Sequence, residues 1–264
     1  MKTSKSLESS NGYANVNGIK MYYEIHGTGE PLVVIHGGGS TIETSFGRIL
    51  PELAKNNTVY ALEMQAHGHT TDRNSPLSFE QDADDIAALL KELKVKKAHI
   101  LGFSNGGTTT LQFAIRHPEM TNKIIVASAF YKKSGAPDWF WPMMQNPTFE
   151  GMPQALKEAF LKVNPDPKAL YKMYERDVAR MQSFKDITDE QLQSIKAPAL
   201  ILLGDKDVVT ISHAAEMQII LSGARLAIFP GGHGDYIGEI TTPQDSTLIK
   251  TTATIIHKFL NDKL

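Results

Sequence analysis

The sequence predicts an α/β fold, in which a mostly parallel central sheet is flanked by helices. Two observations carry this prediction. Short apolar runs of strand length alternate with longer amphipathic segments, which is the pattern of repeated strand–helix–strand units with helices on both faces of the sheet. The chain also opens with a turn sequence typical of a β-hairpin. The predicted parallel strands cover residues 32–35, 59–64, 98–102, 123–127, 199–203 and 226–229.

The predicted hairpin lies near the start of the chain. Its two strands, residues 14–16 and 19–25, flank the dipeptide Asn17-Gly18. This dipeptide tolerates positive φ at both central turn positions, so an antiparallel pair is expected there. Residues 1–12 are polar and are predicted to form a flexible tail.

Two helices are predicted from their amphipathic spacing. The first begins after Ser78, a suitable N-cap, and the second is a closing helix over 246–260. In the first helix the apolar side chains that should face the sheet are Phe79, Ala83, Ile86, Ala87, Leu90 and Leu93. The charged side chains expected on the opposite face are Asp82, Asp84, Asp85 and Lys91.

The alternation of strands and helices stops between residues 131 and 196. This segment holds six of the thirteen prolines, both tryptophans and five of the ten methionines. It is predicted to be a small helical cap inserted after the sixth strand, into a core formed by residues 13–130 and 197–264. Four of its side chains are expected to line a substrate pocket, although each could instead pack only on the main domain: Trp139, Trp141, Met143 and Met144.

The overall composition excludes several classes of function. Twenty-seven basic residues against 29 acidic ones give a formal net charge of -2, so no basic field would attract nucleic acid or an anionic membrane. No apolar run approaches the roughly 18 residues that span a bilayer. Without cysteine the chain has no disulfide, thiolate metal site or cysteine nucleophile. We expect a cytoplasmic protein; the alternative is an exported one whose signal peptide has been removed.

The motif Gly102-Phe103-Ser104-Asn105-Gly106 predicts a nucleophile elbow. It follows a predicted strand directly and precedes a predicted helix over 108–117. A turn this tight needs glycine on either side for backbone clearance and pushes the serine hydroxyl out above the sheet. Because a free serine is a poor nucleophile, this interpretation requires a histidine base and an acid that orients it.

His233 is the candidate base, since it follows the last predicted strand in a glycine-rich loop. The acid should follow a strand that lies between the serine and the histidine in chain order, where Asp205 and Asp207 compete. We favour Asp207, because Asp205 is typical of a turn residue whose carboxylate caps backbone. His67 and His69 follow another strand and are expected to line the mouth of the site.

Two backbone N–H groups are the predicted oxyanion hole. One belongs to Asn105, directly after the candidate nucleophile, and the other to Gly38 within His36-Gly37-Gly38-Gly39. The helix that follows the elbow also directs its N-terminal dipole at this point. A phosphate-binding loop is disfavoured, since no G-x-G-x-x-G helix start or P-loop lysine follows the glycines.

No metal and no cofactor is predicted from the sequence. The histidines are scattered, and the pair His67 and His69 has only Glu63 and Asp72 nearby, without the usual spacing of metal ligands. The expected partner is a small-molecule ester or lactone. The sequence leaves the oligomeric state open, with a homodimer as one expectation.

The order of these motifs resembles the α/β-hydrolase superfamily from about residue 17 to the C-terminus. Residues 102–118, together with residues 43–47 and the short cap, resemble small-molecule esterases and lactonases similar to valacyclovir hydrolase and the enol-lactonases. The resemblance implies an α/β-hydrolase fold and acyl transfer on Ser104. Haloalkane dehalogenases and epoxide hydrolases of this superfamily carry aspartate at the elbow, so Ser104 argues against both.

The sequence departs from the resembled enzymes at two places. Valacyclovir hydrolase-like enzymes have an acidic residue after the nucleophile that binds a substrate ammonium group, whereas Asn105 is neutral. The loop after the fourth strand has Glu63 in place of the commoner aspartate, and Gln65-Ala66 in place of a basic residue and glycine. The first departure argues against amino-acid esters as substrates.

The sequence therefore predicts a serine hydrolase that cleaves a small or medium carboxylic ester or lactone through an acyl-enzyme on Ser104. Cofactor-free perhydrolysis and C–C bond hydrolysis on the same three residues remain alternatives. A ligand receptor with residual hydrolysis is a third, because a fold alone does not fix a function.

Overall fold

An eight-stranded sheet forms the centre of the computed structural model, which describes residues 9–262. The strands lie in the order β1-β2-β4-β3-β5-β6-β7-β8. Their bounds are β1 Ser9–Val16, β2 Ile19–His26, β3 Glu30–Ile35, β4 Asn57–Leu62, β5 Ala98–Phe103, β6 Thr121–Ala127, β7 Ala199–Gly204 and β8 Arg225–Phe229. Strands β3 to β8 pair in parallel, which confirms the predicted mostly parallel sheet.

The antiparallel edge of the sheet is the predicted hairpin. Strand β1 pairs with β2, and β2 pairs antiparallel with β4. Asn17 and Gly18 have φ of 45° and 85°, as the two central positions of a tight hairpin turn require. Because β1 begins at Ser9, residues 9–12 are strand and not part of a tail. The remainder of the predicted tail, residues 1–8, lies outside the described residues.

Ten α-helices accompany these strands over residues 9–262. They are α1 Ile42–Phe46, α2 Leu50–Leu53, α3 Phe79–Glu92, α4 Asn105–Arg116, α5 Phe140–Gln145, α6 Gln154–Val163, α7 Pro167–Gln182, α8 Asp189–Ser194, α9 Ile211–Ile220 and α10 Ser246–Asn261. The hydroxyl of Ser78 accepts from the N–H of Gln81 and caps α3 as expected. Within this part of the chain, none of the helices is both long and apolar enough to cross a membrane.

Helices α5 to α8 lie between β6 and β7, where the sequence predicts a cap, and we call residues 131–196 the insertion. The central strands separate two apolar cores, one on each face of the sheet. In β5, Ile100 contributes to one core and Leu101 to the other, because successive side chains of a strand point in opposite directions. The sheet is therefore covered on both faces, and the carboxyl ends of its strands form the edge beneath the insertion.

Buried charged residues join the insertion to the core. Arg180 of α7 donates from Nη1 to Asp82 of α3 at 2.8 Å and also pairs with Asp177 of α7. The exposed fractions of the Arg180 and Asp82 side chains are only 4% and 2%. Asp82 and Asp85, which the sequence places on the face of α3 opposite its apolar side chains, are both buried. Both are buried because Arg180 and Arg73 neutralise them, as a buried charge requires.

His67 belongs to the same group of charges and is fully buried. Its Nδ1 lies 2.9 Å from the carbonyl oxygen of Gln65, and its Nε2 lies 2.9 Å from Oδ2 of Asp177. Both partners can only accept, so both ring nitrogens carry hydrogen and the ring is an imidazolium. Burial lowers the pKa of His67, but the charge and hydrogen bond of Asp177 raise it further, leaving it above the usual 6.5.

This pairing predicts a pH-dependent stability. Because the pKa of His67 is higher in the folded protein than in the unfolded chain, the His67–Asp177 interaction should stabilise fully below about pH 6.5 and fade as pH rises through the folded-state pKa. His67→Gln should cost about 2 kcal/mol of unfolding free energy at pH 6 and progressively less toward pH 9. Urea unfolding of both proteins across this range measures the difference, and a difference independent of pH would contradict it.

Candidate active site

The turn between β5 and α4 presents Ser104 in a strained conformation. Its φ of 55° and ψ of -121° lie outside the regions that a serine normally occupies. A Cβ at Gly102 would lie 1.9 Å from the carbonyl oxygen of Gly106, and one at Gly106 would lie 2.2 Å from that of Ile35. Only glycine fits at either position, so the chain can make this turn only with glycine two residues before and two residues after Ser104.

Asp207 and His233 meet at the carboxyl ends of β7 and β8. Nδ1 of His233 lies 2.7 Å from Oδ1 of Asp207, and the Asp207 side chain is fully buried while that of His233 is 30% exposed. Burial raises the pKa of Asp207, but the hydrogen bond and charge of His233 and the Ser128 hydroxyl lower it further, to a net value below the usual range. The carboxylate is therefore ionised at neutral pH and orients the imidazole.

The ring of His233 lies beside the elbow without bonding to the serine. Its centroid is 4.8 Å from that of Phe103, the residue before Ser104. Within residues 9–262, no hydrogen bond joins the Ser104 hydroxyl to His233. Contacts of this kind are often long before substrate binds. The structure thus brings Asp207 and His233 together and places His233 next to the elbow.

Asp205, the competing acid, has a different contact. Its Oδ1 accepts from the N–H of Gly231 at 2.8 Å, which joins the loop after β7 to the loop that carries His233. This contact agrees with the expectation that the Asp205 carboxylate caps backbone. Asp207 is the aspartate that contacts His233.

Ser128 holds Asp207 directly and Tyr236 contacts Ser128, and sequence analysis missed both. The hydroxyl of Ser128, which directly follows β6, donates to Oδ2 of Asp207 and lies 2.7 Å from the hydroxyl of Tyr236. Tyr236 is fully buried, and burial together with the charge of Asp207 raises its pKa well above 10. Only the position of Ser128 at a strand end signals this role, because Asp207 and Tyr236 lie 79 and 108 residues further along the chain.

The candidate oxyanion donors lie on either side of Ser104. Asn105 is the first residue of α4, where helical N–H groups have no intrahelical acceptor, and Gly38 lies in the loop after β3. In the part of the chain that the structure describes, neither N–H has a backbone acceptor. A Cβ at Gly38 would lie 2.5 Å from Nδ2 of Asn105, so the loop after β3 approaches the Asn105 side chain closely.

A cavity of about 520 Å³ lies over Ser104, between the elbow and the insertion. Ser104, Asn105 and Gly38 form part of its floor. Its walls are mainly apolar and include Phe140, Met143, Met144, Met152, Leu156 and Met181. Among the described residues that line it, Asp177 is the only charged one and no lysine or arginine is present.

Two of the four predicted pocket residues line this cavity and two do not. Met143 and Met144 share one face of α5 with Phe140, as residues three and four positions apart do, and this face points into the cavity. The predictions for Trp139 and Trp141 are wrong. Trp139 is the N-cap residue of α5 and is 54% exposed, and Trp141 packs on Phe130 and donates from its indole to the backbone.

The histidines expected at the mouth of the site are placed elsewhere. His67 is buried against Asp177, and His69 bonds through Nδ1 to buried Glu63 at 2.9 Å. His36 accepts from the N–H of Met64 at 3.0 Å, and burial followed by the nearby His67 charge lowers its pKa to about 3. All three therefore hold the loops after β3 and β4 rather than lining the cavity. Across residues 9–262, no three histidine, aspartate or glutamate side chains form a metal-binding group.

Comparison with known proteins agrees with this geometry. The family model described as alpha/beta hydrolase fold matches residues 30–172. The human protein named serine hydrolase BPHL is 32% identical over 237 residues, which cover 82% of this chain and 77% of that protein. Both matches are similarities of amino-acid sequence.

Solved structures give the same fold at lower identity. The enol-lactonase from Burkholderia xenovorans LB400 has a TM-score of 0.74 at 22% identity and covers 95% of this chain and 100% of its own. The 2-hydroxy-6-oxo-6-phenylhexa-2,4-dienoate hydrolase from Rhodococcus sp. strain RHA1 has a TM-score of 0.78 at 17% identity. The match covers 97% of this chain and 100% of that one. These structures share the fold, and the family-model match together with the 32% identity to the human protein shows that the chain belongs to the α/β-hydrolase family.

Proposed function

We propose that this protein is a serine hydrolase that cleaves a neutral, small or medium carboxylic ester or lactone. The contact between Asp207 and His233 beside the strained elbow of Ser104 is the observation that carries the proposal. A histidine held by a buried carboxylate next to an outward-facing serine is the arrangement that activates a hydroxyl for acyl transfer.

In the proposed reaction, Oγ of Ser104 attacks the ester carbonyl while Nε2 of His233 takes the hydroxyl proton. The carbonyl oxygen becomes an oxyanion, which the N–H groups of Gly38 and Asn105 stabilise. His233 then returns the proton to the departing alkoxide, leaving an acyl group on Ser104. Water adds to this acyl-enzyme with His233 again as the base, so the acid is released and the serine is restored.

The charge of the cavity supports a neutral substrate. Its walls offer methionine and other apolar side chains, and among residues 9–262 its one charged lining residue is a carboxylate. A bound carboxylate would lack a cationic partner there and would lie near Asp177, which is costly in a desolvated site. A dienoate, the substrate class in the name of the Rhodococcus relative, is itself a carboxylate. The cavity therefore favours ester hydrolysis over C–C bond hydrolysis of such compounds.

Replacing the candidate nucleophile tests the proposal directly. Ser104→Ala should lower kcat/KM for p-nitrophenyl esters, from acetate to decanoate, by about 1000-fold or more, because the acyl-enzyme can no longer form. Spectrophotometric release of p-nitrophenol measures this loss, and exposed Ser212→Ala is the matched control that should retain full activity. Equal rates for wild type and Ser104→Ala would reject the proposal and favour a ligand receptor.

The expected preference for neutral substrates has a separate test. The esters p-nitrophenyl pentanoate and mono-p-nitrophenyl glutarate differ by a methyl group against a carboxylate at the end of the same acyl chain. We expect at least about tenfold higher kcat/KM for the pentanoate, because burying an unpaired carboxylate costs more than about 1.4 kcal/mol.

A cation placed in the cavity should reduce this preference. Met144→Arg introduces a guanidinium on the lining face of α5. It should lower the ratio of kcat/KM for the pentanoate to kcat/KM for the glutarate, whereas Trp139→Arg, at the exposed N-cap of the same helix, should leave this ratio unchanged. A wild-type protein that prefers the glutarate would contradict the assignment of a neutral substrate.

A further inference from the structure

In the loop after β3, the N–H groups of two glycines are hydrogen-bonded to side chains, and the N–H of the glycine between them has no such bond among residues 9–262. The N–H of Gly37 donates to Oγ of Ser45 at 3.1 Å, and the N–H of Gly39 donates to Oδ2 of Asp177. Between them, the N–H of Gly38 has no backbone acceptor within the described part of the chain. The two bonds fix the 36–37 and 38–39 peptide planes, which flank the plane that carries the Gly38 N–H, so they restrict where that N–H points.

The two anchors of this loop come from different parts of the protein. Ser45 belongs to α1 of the core, four residues after the N-cap of that helix, Thr41. Asp177 belongs to α7 of the insertion and lies 138 residues from Gly39 in the chain. The loop is therefore complete only when the insertion rests on the core.

The Asp177 carboxylate is itself held on several sides. His67 bonds to the same oxygen that accepts from Gly39, at 2.9 Å, and Arg180 bonds to the other oxygen. Burial raises the pKa of Asp177, but the charges of Arg180 and His67 lower it well below its usual range. This carboxylate is thus a fixed, ionised acceptor, and its hydrogen bond to Gly39 is charge-assisted.

We propose that Asp177 is a positioning residue for the oxyanion hole, acting through Gly39 to aim the N–H of Gly38 at the reacting carbonyl. This role rests on the proposed hydrolase function. It makes transition-state stabilisation depend on the docking of α7, so that an insertion lifted from the core would leave Ser104 in place with an incomplete oxyanion hole.

The role predicts a particular kinetic defect. Asp177→Asn removes the charge and must place its amide NH₂ against either Arg180 or the Gly39 and His67 donors, so the bond to Gly39 should weaken. We expect kcat for p-nitrophenyl butyrate to fall about 100-fold while KM changes less than about threefold, because a misplaced donor affects the transition state more than the bound ester. The matched control is Glu175→Gln, a charge removal at an exposed position of the same helix.

Binding of a transition-state analogue distinguishes positioning from general loosening. The ketone 1,1,1-trifluorooctan-2-one adds the serine oxygen to its carbonyl and places an oxyanion in the hole. Its inhibition constant should rise in Asp177→Asn by about the same factor as kcat/KM falls, with Glu175→Gln unchanged. A structural defect alone would reduce the fraction of active protein, which thermal unfolding reports, without changing this constant.

The wild-type protein provides a readout that does not depend on the variant folding. The Gly39 amide should exchange with solvent deuterium far more slowly than an unbonded loop amide in heteronuclear NMR. Rapid exchange at Gly39, or Ser104-dependent turnover equal in wild type and Asp177→Asn, would overturn the positioning role and leave the hydrolase proposal standing. Absence of any wild-type ester turnover would instead overturn the hydrolase proposal, and this role with it.

Discussion

The turn at Ser104 depends on how closely α4 approaches the ends of β3 and β5. Gly106 lies directly on the carbonyl oxygen of Ile35, at the last residue of β3, and Gly102 lies against the carbonyl of Gly106. No side chain fits into either contact, so this approach is available only to a chain with glycine at both positions. Because α4 starts so close to β3, Asn105 lies against the loop that carries Gly38. The strained backbone of Ser104 and the candidate oxyanion donors are therefore consequences of one packing constraint.

The opposite side of the site depends on a second buried contact, between Asp207 and His233. Asp207 has four acceptor contacts: to His233, to Ser128 and to the N–H groups of Gly204 and Val209. A carboxylate satisfied in this way can remain ionised although it is fully buried. Its position relative to the elbow follows from the sheet, since β7 lies next to β6, and β6 next to β5. The serine and the acid thus come from strands two places apart at the same edge.

Buried ion pairs, in addition to apolar packing, connect the insertion to the core. Asp82 of α3, His67 after β4, and Asp177 and Arg180 of α7 form one buried group in which each charge has a partner of opposite sign. Removing Asp177 would leave His67 buried without its partner, and removing Arg180 would do the same to Asp82, which costs several kcal/mol in typical proteins. Such a group requires the insertion to dock in a single arrangement, and this arrangement places the methionine-rich wall over Ser104.

The sequence predicted the parts of the site that local patterns encode. The elbow, the hairpin turn at Asn17-Gly18 and the parallel strands follow from glycine positions and short apolar runs, which depend on neighbouring residues. The contacts of Asp177 could not be predicted, because the sequence gives no register between residues 138 positions apart. The burial of Asp82 could not be predicted either, because its partner, Arg180, lies 98 residues away. Trp139 was placed in the pocket because composition does not reveal which face of α5 points inward.

The measurement that tests the central claim most directly is covalent labelling of the protein with a fluorophosphonate, followed by mass spectrometry of its peptides. The account predicts one stoichiometric adduct on Ser104, formed much more slowly in His233→Ala because the hydroxyl has lost its base. No adduct on Ser104 in the wild-type protein, or labelling at the same rate in His233→Ala, would contradict it.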